Sequence, residues 1–249
     1  MSGAPPAVPA AEAPISPVSA VVGTFSRPSE TFRRLVARPT WWLPFALILV
    51  FAVGSWLVVT PKMDMDRTIR ESIEKRAEKS GRTIPPEAVN RQVEMSKKMM
   101  PLFFGIAIAG SAVFFFLPAL VLWGSAKAMG ADARYQQLLA IWGHAGLPNL
   151  LGTLVAIPIF LQLPDTSLTQ EGVAQVLKSN VGAFLDPSAP APLLALAGSL
   201  DVFSLYALTL LVLGFRRLPG LSKGAATATP IVLWLVYVTG KVVWRAVFG

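Results

Sequence analysis

The chain has 249 residues, 53% hydrophobic and only 14% charged, with 22 Lys and Arg against 14 Asp and Glu for a net charge of +8. That composition, with a mean hydropathy of +0.56, excludes an ordinary soluble domain. The lack of cysteine excludes disulfides, thiol chemistry and thiolate metal sites.

Residues 1–24 form an Ala/Pro-rich tail in which prolines interrupt every few positions, with no basic n-region and no continuous apolar run. A disordered tail is expected, not a cleaved signal peptide. From residue 25 the pattern changes, and 25–248 reads as one membrane domain. Phe32, Leu35 and Val36 share one helical face while Arg33, Arg34 and Arg38 lie elsewhere, after a Pro28 and Glu30 suited to a first turn. Two readings stand, a short amphipathic helix lying apolar face down on the membrane and a solvated basic linker.

The first span is expected over about 41–60, with Trp41 and Trp42 in the interfacial aromatic belt. A polar helical hairpin follows at 62–98. Met65, Ile69 and Ile73 recur every four residues along its first arm. Ser80 and Gly81 break it, and Pro85 and Pro86 open a second arm bearing Val89 and Val93. Its mixed charge reads either as a solvated face or as a surface for a partner.

Spans two to five are expected over about 99–123, 135–163, 193–215 and 225–247. The third is the centre of the pattern. Thirty residues from Tyr135 to Pro164 carry no Asp, Glu, Lys or Arg but do hold the single histidine, His144. As a helix this stretch reaches about 45 Å, more than the ~30 Å hydrocarbon core. The fold class is thus an all-α integral membrane protein, a five-helix transmembrane bundle with an N-terminal interfacial helix and a polar hairpin. No internal repeat is evident, which argues against an inverted-repeat transporter.

The basic residues flank apolar runs and form no aromatic-interleaved patch, so membrane lipids, not nucleic acid, are their expected partners. Their distribution sets the orientation. An N-terminus inside gathers Arg27, Arg33, Arg34, Arg38, Lys127, Arg134, Arg216, Arg217 and Lys223 in the cytoplasm. It leaves Lys178, Lys241 and Arg245 outside, with the C-terminus. The hairpin runs against the rule, because it carries ten Lys and Arg outward. The localisation expected is the cytoplasmic membrane of a bacterium.

Within the spans, Asn149 and Asp201 fall at similar depth, roughly 21 Å from the basic end, and His144 and Tyr206 lie level nearer that end. An uncompensated carboxylate at such a depth costs at least ~2.5 kcal/mol, so it needs a donor or a proton. Asn149–Asp201 and His144–Tyr206 contacts are expected to fix how spans three and four pack.

Three patterns occur in order along the chain: Arg27-Pro28-Ser29-Glu30-Thr31-Phe32 with Pro39-Thr40-Trp41-Trp42-Leu43-Pro44; His144 with Pro148, Leu150 and Leu151; and Asp201-Val202-Phe203-Ser204-Leu205-Tyr206 followed by Gly214. Together they resemble bacterial members of the YIP domain family, named for Ypt/Rab-interacting proteins, over residues 25–248. The resemblance implies a five-span protein with a cytoplasmic N-terminus. Eukaryotic members bind Rab GTPases and membrane-shaping partners, and some bacterial relatives accompany ABC-type exporters.

Reactive constellations are sparse. Gly124 and Ser125 sit at a span edge without a matching base, and His144 and Asp201 are too few for a metal site. No cofactor is implied. The expected function is a non-catalytic multi-pass scaffold or accessory subunit whose partner is an exporter subunit or a second copy of the chain. The alternative is a small ion- or proton-conducting oligomer or transporter using Asp201 and His144.

Overall fold

The computed structural model describes residues 15–81, 83–166, 168, 176–186 and 188–248. Among them the regular structure is helical, with only isolated bridges besides. Two short helices, α1 (Pro17–Ser26) and α2 (Pro28–Ala37), precede α3 (Trp42–Val59). Next come α4 (Met65–Ser80), α5 (Pro86–Ala128), α6 (Tyr135–Ala145), α7 (Leu147–Gln162), α8 (Ala191–Ala197), α9 (Val202–Phe215) and α10 (Lys223–Phe248).

Four units are long and apolar enough to cross a membrane: α3 with its 3-10 extension, α5, α6 with α7, and α10. The bend between α6 and α7 falls at Gly146, because Pro148 in the first turn of α7 has no N–H to continue the ladder. This central unit is the best covered: 39% of its most apolar window is buried, against 6% for α3 and 17% each for α5 and α10. The remaining faces are apolar and outward, as at Phe114 and Val236, and suit lipid.

The expected fourth span over 193–215 is not one helix. It breaks at Gly198–Asp201 into α8 and α9. Gly198 caps α8 through its N–H to the Leu194 carbonyl, and Asp201 starts α9.

The core sits at the end of the bundle where the short basic segments gather. Phe32 and Leu35 of α2, Leu138 and Ile141 of α6, and Leu210 and Phe215 of α9 form it with Ala126 and Ala226. The expected amphipathic helix is present as α2, and the structure corrects only what its apolar face meets. The Phe32–Leu35–Val36 face of α2 covers protein, not lipid, and the Gln137 side chain donates to the Val36 carbonyl at 2.7 Å. The pattern predicts an apolar contact but does not say with what. Arg33 is exposed and Arg34 pairs with Glu30 at 2.7 Å. Of the two belt tryptophans, Trp42 is exposed, whereas Trp41 packs on Phe45, Phe115 and Phe116.

Much of the expected tail, residues 1–14, lies outside the described residues. Residues 17–24 differ from the expectation, since they belong to α1. Ser16 caps this helix by accepting from the Ser19 N–H at 3.1 Å, Pro17 fills its first turn, and Ala20 and Thr24 are fully buried. Gly23 lets α1 approach α2: a Cβ there would lie 2.5 Å from the Thr31 hydroxyl.

At the opposite end the hairpin is likewise not a separate unit. Its second arm continues without interruption into span two, so that α5 is 43 residues long, about 64 Å. Asp64 caps α4 and Gly81, at φ +63°, closes it. The two arms bury Ile73 and Val93, each 4% exposed, and pair Asp66 with Lys97 and Arg70 with Asn90. Met65, Ile69 and Val89 are half-buried. The apolar stripes are therefore covered in large part by the hairpin itself, and its outward faces are polar apart from the exposed Met95. Lys62 pairs with Asp165 at 2.9 Å, and the Asp64 N–H donates to the Leu168 carbonyl, tying the exits of α3 and α7 together.

Candidate functional site

The polar residues expected inside the bundle separate into two places. His144 is in the last turn of α6 and fully buried. Its Nδ1 lies 2.9 Å from the Ala140 carbonyl. A carbonyl only accepts, so Nδ1 carries a proton, and Nε2 has no partner among the described residues. Tyr206 does not meet it. The tyrosine ring instead packs on Phe25 of α1, centroids 6.4 Å apart, a contact made by the short helix that the tail reading omits.

Asn149 and Asp201 do share a recess, of about 230 Å³, with Gly152, Ser179 and Phe203. They do not bond directly. Asp201 Oδ1 accepts from the N–H groups of Phe203 at 2.9 Å and Ser204 at 3.0 Å, and Oδ2 accepts from the Ser179 hydroxyl. The Ser204 hydroxyl makes a long contact, 3.4 Å, to Asn149 Oδ1. The expected Asn149–Asp201 contact is thus relayed through Ser204. The physical reason is the helix break. Once the chain turns at 198–200, free backbone N–H groups of α9 stand closest to the carboxylate and satisfy it as an N-cap.

The segment around Ser179 supports the same point. The Val202 N–H donates to the Ser179 carbonyl at 3.0 Å, and Asn180 bridges Asp201 in antiparallel fashion. Gly152 lets α7 touch α9, because a Cβ there would lie 2.9 Å from the Phe203 ring. Ser179, Asn180 and Gly152 were not among the residues singled out from the sequence, and Ser204 entered only as part of a pattern. The sequence does carry a signal for the cap itself: an Asp immediately before an apolar run is a helix-start residue. Chemically the recess offers a carboxylate whose two oxygens already hold three donors. Among the described residues no three His, Asp or Glu side chains come together.

A series at Asp201 tests the cap. Asp201→Asn keeps an acceptor at Oδ1 and is expected to change stability by under about 1 kcal/mol, whereas Asp201→Leu is expected to cost about 1–2 kcal/mol. Thermal unfolding in mild detergent reads both. Equal losses in the two variants would show that the charge matters and not the cap.

The model of the Yip1 domain family matches residues 22–244, which is most of the chain. The chain belongs to the Yip1 domain family. A relative from Bacillus subtilis (strain 168), called membrane protein YknW, is 24% identical over 219 residues, 87% of this chain and 85% of its own. No solved structure matches.

In this Yip1-domain protein the first and third patterns meet at Phe32 and Gly214. Gly214 brings α9 against Ile141 of α6 and Phe32 of α2: a Cβ on it would lie 2.4 Å from Ile141 Cγ2 and 3.2 Å from Phe32 Cδ1. Arg217, two residues past α9, bonds the Ser29 hydroxyl. Phe32 and Gly214 thus belong to the packing of the basic end, whereas Asp201 lies in the recess at the other end of α9.

Proposed function

We propose that this Yip1-domain protein is a non-catalytic multi-pass scaffold or accessory subunit that meets a membrane-protein partner through its α4–α5 hairpin. One observation carries the reading. The hairpin is continuous with span two and covers much of its own apolar stripes, leaving a largely polar projection where a short loop would suffice to join two spans. Charged outer faces of that kind favour register with a charged partner over insertion in lipid. An ABC-type exporter is the partner class that the family resemblance suggests, with self-association as the other outcome.

In this reading α8 and α9 together make the fourth of five crossings. The basic end faces the cytoplasm of a bacterial cell, and the hairpin and C-terminus lie outside the cytoplasmic membrane. Contacts among the basic segments support this: Arg217 reaches Ser29, and the Asp132 N–H donates to the Pro219 carbonyl at 2.9 Å. All three segments therefore share one face, as the positive-inside rule requires.

Two experiments test the proposal. With no native cysteine, single cysteines at Lys127, Lys178 and Lys223 can be probed in intact cells with an impermeant thiol reagent. Labelling is expected at 178 only, and labelling at 127 or 223 would reverse the orientation. Replacing residues 64–97 with a short flexible linker is expected to preserve insertion and abolish partner recovery after mild solubilisation. Full recovery of every partner would leave the hairpin a solvated loop.

The conducting alternative draws on one feature, the Nε2 of His144, without a partner among the described residues, beside a helix break, since broken helices often border transport sites. Against it, the lone pairs of Asp201 are engaged by its cap.

A further inference from the structure

We propose that the cleft between α1 and α2 is a binding site for one anionic phospholipid, with the phosphate on Arg27 and Arg34 and an acyl chain along Val18 and Val22. The cleft measures about 490 Å³ and is lined by Ile15, Val18 and Val22 on one side and Arg27, Glu30 and Arg34 on the other. It does not depend on the partner proposed above or on which face of the membrane it occupies.

Four observations lead there. The first is depth. Residues 15–26 carry no charge, and Phe25 of α1 packs on Tyr206, nine residues, or roughly 14 Å, from the basic end of α9. The short helix therefore lies alongside the spans at the edge of the hydrocarbon, not above it. The second is the apolar wall. Val18 and Val22 are 66% and 59% exposed and one turn apart, so they form a strip open to the outside at that depth. The third is charge. Residues 27–38 carry four arginines against one acid, Glu30, and no other acid lines the cleft. The fourth is the reach of Arg34. It gives Glu30 one bond through Nη2, and its side chain is 34% exposed, so the outer part of its guanidinium faces the cleft. A phosphodiester oxygen is the acceptor that such a guanidinium takes best.

The combination selects a class. A free phosphate would use the arginines and leave the valine strip bare. A zwitterionic head group would set its own ammonium against Arg27. An anionic phospholipid satisfies both walls. Near an anionic surface each basic residue contributes about fivefold in binding. Two arginines against Glu30 leave a net preference of about that size.

Purified full-length protein in mixed micelles of equal phosphatidylglycerol and phosphatidylcholine, read by native mass spectrometry, tests this. The wild type is expected to retain phosphatidylglycerol about fivefold over phosphatidylcholine. Arg27→Gln with Arg34→Gln is expected to bring retention to parity. So is Val22→Trp, which fills the cleft without touching its charge. Arg33→Gln with Arg38→Gln, just outside the cleft, is expected to keep the preference. If the first pair does not fold, Val22→Trp and the wild type decide the matter, because Val22 is largely exposed.

Parity in the wild type would overturn the proposal. So would an equal loss in the Arg33/Arg38 pair, which would mean only a diffuse basic surface. Removal of the preference by inorganic phosphate would assign the arginines to a free anion. A preference that appears only after deletion of residues 2–14 would show the cleft to be filled by the chain's own tail.

Discussion

Gly214→Ala is expected to lower stability by about 2–3 kcal/mol, the upper part of the range for overpacking a full core. The added methyl would stand 2.4 Å from Ile141 Cγ2 and 3.2 Å from Phe32 Cδ1, and both side chains are fully buried, so neither has room to retreat. The only relief is to move α9 away from α6, which would open the core of the basic end. Ile141→Ala removes the clashing methyl but leaves a cavity, at about 2–5 kcal/mol alone. In the double variant the losses should fall well short of their sum, because each change accommodates the other. Unfolding of the purified protein in mild detergent, by intrinsic fluorescence against denaturant, measures the coupling. Strict additivity would mean that α6 and α9 do not cross at Gly214.

Gly220→Ala should be at least as damaging, at roughly 3 kcal/mol, for a different reason. Gly220 sits at φ +83°, where a Cβ is strained by about 1–2 kcal/mol. That Cβ would also lie 2.5 Å from the Gly130 carbonyl oxygen and 3.1 Å from the Asp132 nitrogen, both backbone atoms. The two basic loops must then part, and the bond from the Asp132 N–H to the Pro219 carbonyl goes with them. Gly130→Ala is the control. Its φ is +92°, but its nearest contact is 4.0 Å away, so it carries the strain without the clash and should lose about half as much. Equal losses at the two positions would show that the loops do not touch.

Gly214 and Gly220 also indicate what the amino-acid order can and cannot disclose. Uncharged stretches long enough to cross a membrane stand out, and so does the segregation of arginines and lysines to alternate loops, because both follow from the cost of charge in hydrocarbon. Where a chain bends within such a stretch is far less visible. The turn at Gly198–Asp201 is as apolar as its surroundings apart from the aspartate, which was read as a charge in a helix when it is the cap that starts one. α1 was hidden by its prolines, although Ser16 and Pro17 form a proper helix entrance. The Phe32–Leu35 stripe was legible as a buried face, but lipid and protein are equally apolar, so its neighbour was not. At Lys98–Met99 polarity changes abruptly and suggests the end of one element. It is only a change of composition, and α5 passes through it unbroken, Pro101 included.

That unbroken passage makes α5 a lever. About 25 residues, roughly 37 Å, separate the middle of its apolar part from Pro86. Rocking the intramembrane part by some ten degrees would sweep the far end sideways by about 6 Å, more than one helical pitch. Trp56 of α3 stacks on Phe104, rings 3.7 Å apart, and Asp66 of α4 pairs with Lys97, so α5 is held by a neighbour on each side of Lys98–Met99. As one continuous helix, α5 would carry any tilt of span two outward as a sideways displacement of the hairpin.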